Sequence, residues 1–462
     1  MTAEDRHMTD ATRSKRTGSA AVFWMLVWGL GIAGQICWNM ENQWFNTFIY
    51  ARIAKDPTII SWMTACSAAA TAISTFLFGT LTDRLGKRKP FIAIGYILWG
   101  IFTILFGMTQ FLTGSAPSEQ AQIAVGVGAA VVAADTVMSF FGSMGNDSGF
   151  NAWINDNMTD DNRGQLGAAM ATQPVLGTIF GTIIGGLLVG SDDNYMRLFS
   201  VMGVLVILMG IASGFSLREN PGCHASVRGT FGRQFLSIFN FRKYGEMHEL
   251  VWVNWTLTVF FIAFNIYFLH IGNFVIYYLG FTADQLGIIE GVSLILSMFS
   301  VIPATRLINR GRIPAVAAAG ILLNCAGCSI LALFVRPETV DTSTLFNPLL
   351  ILGVFLIGTG YILFLQTLTV WSKQLYPQDS RGQFEGIRIL FFVLIPMIIA
   401  PLISNPVIRG SGKFTDADGF TEYLPTHTLY GISVFLVLAA FIPLAFAARW
   451  YRRRLQAEHT HS

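Results

Sequence analysis

Five ionisable side chains, Glu41, Asp135, Asp147, His270 and Glu290, lie inside long apolar stretches of this 462-residue chain. A charge at membrane depth costs roughly 2.5–3.5 kcal/mol, so each calls for a role such as carrying a proton, binding a cation or touching a polar solute. Glu41 falls in Trp38-Asn39-Met40-Glu41-Asn42-Gln43-Trp44-Phe45. At helical spacing Trp38, Glu41, Asn42 and Phe45 share one face, with Trp44 in the same run. Rings over a sugar's C–H face, with a carboxylate and an amide on its hydroxyls, make a site of the kind a carbohydrate needs. The competing reading is a membrane interface, where Trp and Gln are ordinary.

Asp147 lies in Gly145-Asn146-Asp147-Ser148-Gly149-Phe150-Asn151. This segment is expected to face a cavity, with Asn146, Ser148 and Asn151 serving a cation or a proton carrier; otherwise it is simply the polar end of a span. Asp135 is twelve residues earlier, about 18 Å along a helix, and ranks below Asp147 as a coupling group. Tyr267, His270, Asn273 and Tyr277 fall near one face of a later run, where His270 is either packed and hydrogen-bonded or a proton relay. Glu290 reads as a gate or interface group ahead of a binding-site residue. Gln366 and Gln173-Pro174 add polar cavity candidates, and Gly177, Gly181 and Gly185 at four-residue spacing predict close helix packing. The expected solute contacts are thus Trp38, Glu41, Asn42, Trp44, Asn146, Asn151, Tyr267, His270, Asn273 and Gln366, and the expected coupling acids are Asp147, Glu41 and Asp135.

The elements that must hold these groups are membrane helices. The chain is 53% hydrophobic and 12% charged, with mean hydropathy +0.54, against about 25% charge in soluble proteins. Windows of about 20 apolar residues suffice to span a bilayer. Twelve spans are predicted, over 21–50, 58–82, 90–113, 124–153, 165–190, 195–216, 249–279, 284–308, 314–335, 346–371, 386–408 and 427–449. On this division Arg52, Lys55, Arg197, Arg336, Arg409 and Lys413 fall on one side, and the remaining 24 of the 30 Lys and Arg fall on the side of both termini. Basic loops stay in the cytoplasm, which predicts cytoplasmic tails at 1–20 and 450–462 and a cytoplasmic linker at 217–248. No signal peptide is expected. Cys37, Cys66, Cys223, Cys325 and Cys328 read as small residues in apolar runs, not as a redox or metal set. The net charge of +3 needs no nucleic acid to explain it.

Two motifs recur. Asp161-Asn162-Arg163-Gly164-Gln165 and Asp379-Ser380-Arg381-Gly382-Gln383 each place a capping residue three before a Gln, predicting a capping box at the start of spans five and eleven. Leu81-Thr82-Asp83-Arg84 has a degraded echo in Leu307-Ile308-Asn309-Arg310. The repetition predicts an all-α membrane protein whose twelve helices form two pseudo-symmetric six-helix halves, 21–216 and 249–449, about a central cavity.

Gly79-Thr80-Leu81-Thr82-Asp83-Arg84-Leu85-Gly86-Lys87-Arg88-Lys89 resembles the loop after the second helix of major facilitator transporters. The resemblance implies close packing at Gly79 and Gly86 and a conformational latch drawing on Asp83, Arg84, Arg88, Arg163, Arg310 and Arg381. The continuation Gly86-Lys87-Arg88-Lys89-Pro90-Phe91-Ile92 looks like that of glycoside-pentoside-hexuronide:cation symporters and the related sucrose carriers. The segment from Asp147 to Asp160 is similar to the fourth helix of the melibiose carrier group, which implies a cation role for Asp147 and sugar contacts near Glu41. That group carries aspartates in span two, where this chain has Ala68-Ala69-Ala70-Thr71-Ala72-Ile73-Ser74-Thr75. The departure favours a proton over sodium. The expectation is a monomeric, non-enzymatic inner-membrane symporter for a glycoside or small oligosaccharide, with no cofactor beyond the co-transported ion. Its rival is proton-driven efflux of an amphipathic molecule.

Overall fold

The computed structural model describes residues 3–112, 120–159, 161–220, 231–232, 244–376, 381–415 and 419–461. Twelve helices are long and apolar enough to cross a membrane: α1 (Ala20–Arg52), α2 (Pro57–Leu85), α3 (Lys89–Leu112), α4 (Gly126–Asp156), α5 (Gly164–Val189), α6 (Tyr195–Ser216), α7 (His248–Tyr278), α8 (Ala283–Asn309), α9 (Ile313–Phe334), α10 (Pro348–Leu375), α11 (Gly386–Ser411) and α12 (Thr428–Ala457). Each matches a predicted span. The amino-terminal tail continues α1 as helix back to Ala3, and the carboxyl end of α12 runs on to His461. A two-stranded antiparallel hairpin, β1 (Lys413–Thr415) and β2 (Thr421–Tyr423), follows α11 and has no counterpart among the predicted elements.

The packing repeats between the halves. α1 packs on α5 as α7 packs on α11; α3 packs on α6 as α9 packs on α12; α2 packs on α4 as α8 packs on α10. Across the halves α5 meets α8 and α2 meets α11, the same pair with the halves exchanged. Small residues permit these approaches. A Cβ on Gly177, Gly181 or Gly185 would run into Gln35, Asn39 or Trp44 of α1, so the predicted glycine stripe is a helix–helix contact. A Cβ on Gly95 of α3 would fall 2.6 Å from the Gly145 backbone of α4.

Three helices carry π-helical turns: Met144–Phe150 in α4, Phe274–Tyr278 in α7 and Leu390–Leu394 in α11. α7 is also interrupted at Leu269 and His270. Two local expectations fail. Asn162 makes no side-chain cap for α5; its Oδ1 instead accepts from the Thr159 N–H at 2.7 Å and its amide donates to the Asn157 carbonyl, closing the preceding turn. Ser380, the partner position, lies outside the described residues, as does Cys223. Close packing is likewise not found at Gly79, where a Cβ would meet nothing within 4 Å among the described residues, whereas Gly86 ends α2 with φ +62°.

These environments predict opposite responses. Gly95→Leu should cost about 1–3 kcal/mol by overpacking, read as an earlier thermal unfolding midpoint of the detergent-solubilised protein, while Gly79→Ala should leave the midpoint unchanged or slightly raised.

Candidate functional site

The end of the bundle bearing both termini is called here the terminal end, and the opposite one the far end. Ties between the halves gather toward the far end. Arg409 donates to both carboxylate oxygens of Asp56 at 2.8 Å and to Thr58, and lies over the Tyr423 ring. Lys55 pairs with Glu422 at 2.9 Å, and its carbonyl accepts the Tyr423 N–H, so the hairpin clasps the first half. Deeper, Asn46 donates to the Leu269 carbonyl where α7 breaks, and Asn273 and Tyr277 donate to the carbonyls of Asn46 and Thr47. Gly186 and Gly287 let α5 and α8 touch: a Cβ on Gly186 would meet the Ala283 carbonyl at 2.6 Å.

Beneath this seal lies a narrow pocket of about 60 Å³, partly open to solvent. It is lined by α1, α5, α7, α8 and α10, and most of its surface is apolar, from Phe264, Phe268 and Leu294 among others. Tyr267 lines it, with its hydroxyl committed to Asn324. Among the described residues its one lining carboxylate is Glu290, which accepts a hydrogen bond from Gln43 of α1.

The Glu41 face of α1 points elsewhere. Trp38 lies 5.0 Å from Trp99, Phe45 stacks on Phe106 at 4.1 Å, and Glu41 Oε1 accepts from Ser139 of α4 at 2.8 Å. The shared face predicted from spacing therefore exists but is packed within the first half, with Trp38 and Asn42 only partly buried. Trp44 is fully buried against α5, its indole donating to the Gly181 carbonyl.

Glu41 belongs to a file of polar groups between α1, α2 and α4. Asp135 is wholly buried, and among the described residues neither of its carboxyl oxygens has a hydrogen-bond partner; Glu41 Oε2 has none either. Ser67 of α2 lies close to both acids. One turn along, Ser143 donates to the Thr71 carbonyl and shares a 2.7 Å hydrogen bond with Thr75. Asp147 follows, held by Asn146 at 3.2 Å, while Asn146 Oδ1 accepts from Tyr96 and Ser148 donates to the Thr75 carbonyl. In a regular helix Asp147 would sit about 120° round from Asp135; the π turn takes up roughly one residue, about 100°, and returns it to the face of Asp135, Ser139 and Ser143. No Lys, Arg or His among the described residues hydrogen-bonds or pairs with any of the three acids.

Other predicted residues scatter. His270 is buried, meeting Ser404 of α11 at 3.3 Å, with no partner for Nδ1 among the described residues. Gln366 donates to Thr305 at 2.7 Å, between α10 and α8, and Asn151 donates to the Asp147 carbonyl. Spacing missed Ser67, Ser139 and Ser143, although Asp135, Ser139, Ser143 and Asp147 recur every four residues. It also missed Gln43, hidden inside an aromatic run.

At the terminal end Arg88, not Asp83, is the hub. Its guanidinium pairs with Asp83 at 2.7 Å and Asp156 at 2.8 Å. Glu219 Oε1 accepts from the backbone N–H groups of Arg88 and Lys89, capping α3, where a carboxylate also suits the helix dipole. Arg84 lies over the Phe231 ring, and the Arg310 side chain is exposed. The side chains of Arg163 and Arg381 lie outside the described residues.

The profile of the Major Facilitator Superfamily matches residues 34–278 and again 256–461. Comparison with curated proteins gives no match. Among solved structures, the nucleoside transporter NupG is similar with TM-score 0.66 at 15% identity, over 91% of this chain and 99% of that one. A D-xylose–proton symporter is similar at 0.67 and 13%, over 90% and 96%. An inward-facing bacterial homologue of the human lysosomal transporter Spinster is similar at 0.67 and 14%, over 95% and 97%.

The Arg88 hub carries its own prediction. The Arg88 side chain is 6% exposed and Asp83 52%, so Arg88→Ala, which removes charge-assisted hydrogen bonds to two acids at once, should cost about 2 kcal/mol, and Asp83→Asn under about 1 kcal/mol. Thermal unfolding in detergent ranks them; equal losses would contradict the hub.

Proposed function

Because the chain belongs to the Major Facilitator Superfamily, we propose that it is a secondary active transporter importing a glycoside or small oligosaccharide together with a proton, by alternating access. The observation that carries this reading is the file of Glu41, Asp135 and Asp147, the first two buried and the third partly exposed, set among hydroxyls and an amide with no base among the described residues. A buried carboxylate lacking a counter-charge must be neutralised by something that enters. Asp135 and Asp147 stand twelve residues apart on α4, about 18 Å, with Glu41 of α1 near the Asp135 end, instead of all three converging on one point, which suits proton hopping better than a multi-oxygen sodium cage. Asp147 at one end is partly exposed and Asp135 at the other is sealed.

The terminal end, bearing most of the Lys and Arg, faces the cytoplasm of the inner membrane in this reading. The far-end seal is then the external gate, and the pocket opens inward. The halves 21–216 and 249–449 rock about it, and an ion and a solute that bind one orientation more tightly bias the equilibrium. Aromatic rings around a few polar groups fit the ring faces and hydroxyls of a sugar. NupG, a nucleoside transporter, and the xylose–proton symporter show that proteins of similar fold carry polyhydroxylated solutes. The aromatic lining also favours a second reading, proton-driven efflux of an amphipathic molecule, which transport direction in oriented vesicles separates.

A panel of sugars added to de-energised cells, with external pH recorded, tests the proposal. One sugar should alkalinise the medium without sodium; a response that requires sodium, or none to any sugar, contradicts it. For the sugar that responds, Glu41→Gln and Asp147→Asn should lower accumulation about tenfold or more, the equivalent of about 1.4 kcal/mol, while retaining solute exchange. Unaltered accumulation in both would remove the acid file from coupling.

A further inference from the structure

The Glu290–Gln43 contact is not used by the coupling file and sits where two functions meet. It joins α8 of one half to α1 of the other and also lines the pocket. By helical rise it lies about 10 Å below the start of α8, directly under the Gly186–Gly287 approach. Gln43 is held in place from behind: its Oε1 accepts from Thr182 of α5 at 3.0 Å, and Thr182 also reaches Asn39 at 3.4 Å. Gln43 is the one hydrogen-bond donor to Glu290 among the described residues. The acid therefore presents a pocket-lining acceptor whose present partner is a neutral N–H from the opposite half.

We propose that Glu290 is the residue that reads a hydroxyl of the solute, and that this hydroxyl displaces the Gln43 amide and so loosens the α1–α8 tie beneath the far-end seal. The proposal rests on the carbohydrate reading for the ligand's class, though the gate function of the bridge does not. A carboxyl oxygen that carries no proton only accepts hydrogen bonds, so it selects solutes that donate. A hydroxyl replaces an amide N–H on the same oxygen without stranding a charge in the pocket. The Phe264 and Tyr361 rings, stacked at 4.8 Å, give the apolar counterpart that a sugar ring face needs. Occupancy thus becomes linked to opening at the opposite end: a filled pocket no longer has Gln43 bound to Glu290, while the Gly186–Gly287 approach is a contact of glycine backbones with no side chain to bond across it.

Ile183, against which a Cβ on Gly291 would press, reports this seal. Ile183→Cys is introduced into protein whose native cysteines are replaced by serine, and right-side-out vesicles are treated with a membrane-impermeant maleimide. Labelling should be slow, several-fold faster with Gln43→Leu or Glu290→Leu, and faster on adding whichever of sucrose, D-xylose or uridine is taken up, but not in Glu290→Leu. Labelling unchanged by both substitutions overturns the bridge as a gate, and solute acceleration that persists in Glu290→Leu overturns Glu290 as its reader. Uptake should fall about tenfold or more in Glu290→Leu and less in Glu290→Gln, which keeps a carbonyl acceptor; equal losses would assign the acid to an ammonium ligand instead. If none of the three solutes is taken up, the carbohydrate reading fails and the substitutions alone decide the bridge.

Discussion

Taking a carboxylate out of water without a counter-charge is among the most expensive steps in folding a membrane protein. Glu41 and Asp135 take that step fully and Asp147 in part, in one half of the bundle, with hydroxyls and an amide as neighbours. Much of the first half serves them. The π turn in α4 brings Asp147 onto the face of Asp135. The polar side of α2 contributes the Ser67 and Thr75 hydroxyls and the Thr71 carbonyl, and no acid, to the file. The glycines of α5 draw α1 inward, which fixes the rotation of α1 and hence the direction of Glu41.

The same rotation divides the labour of α1. Trp38, Glu41 and Phe45 turn into the first half, while Gln43 and Asn46 reach the second. One helix therefore touches both the acid file and the inter-half pocket, separated by about half a turn. A shift of α1 against α7 and α8 is felt at both, which is the physical basis for coupling an ion to a solute without the two sharing a site. The terminal-end hub of Arg88, Asp83, Asp156 and Glu219 ties α2, α3, α4 and the end of α6 together, so these helices move as a unit. Its counterpart in the second half is Glu249, which accepts from Trp371 and pairs with Arg454, linking α7, α10 and α12.

Span number and the duplication were legible because hydropathy and repeated motifs are carried by many residues at once. The site was legible in part. Buried acids betray themselves in an apolar sequence, and all three members of the file were marked from spacing and polarity. Their partners were not, because serine and threonine are common in membrane helices and acquire meaning only through the neighbour they face. The aromatic face of Trp38 to Phe45 was periodic as expected, yet periodicity fixes which residues share a face and not which helix that face meets. The capping box at Asn162 failed for a related reason: the tight turn before α5 offered the same side chain a nearer donor. The hairpin clasp depends on Lys55, Asp56, Arg409 and Glu422, distant in sequence and joined only by the fold.

The most direct test of the central claim is electrical. Purified protein in liposomes on a solid-supported membrane, in sodium-free buffer, is exposed to a jump in sucrose, D-xylose and uridine together. The account predicts a transient current carrying positive charge in the direction of solute movement, lost in Glu41→Gln. A current that appears only when sodium is supplied, or one of equal size in Glu41→Gln, would contradict it.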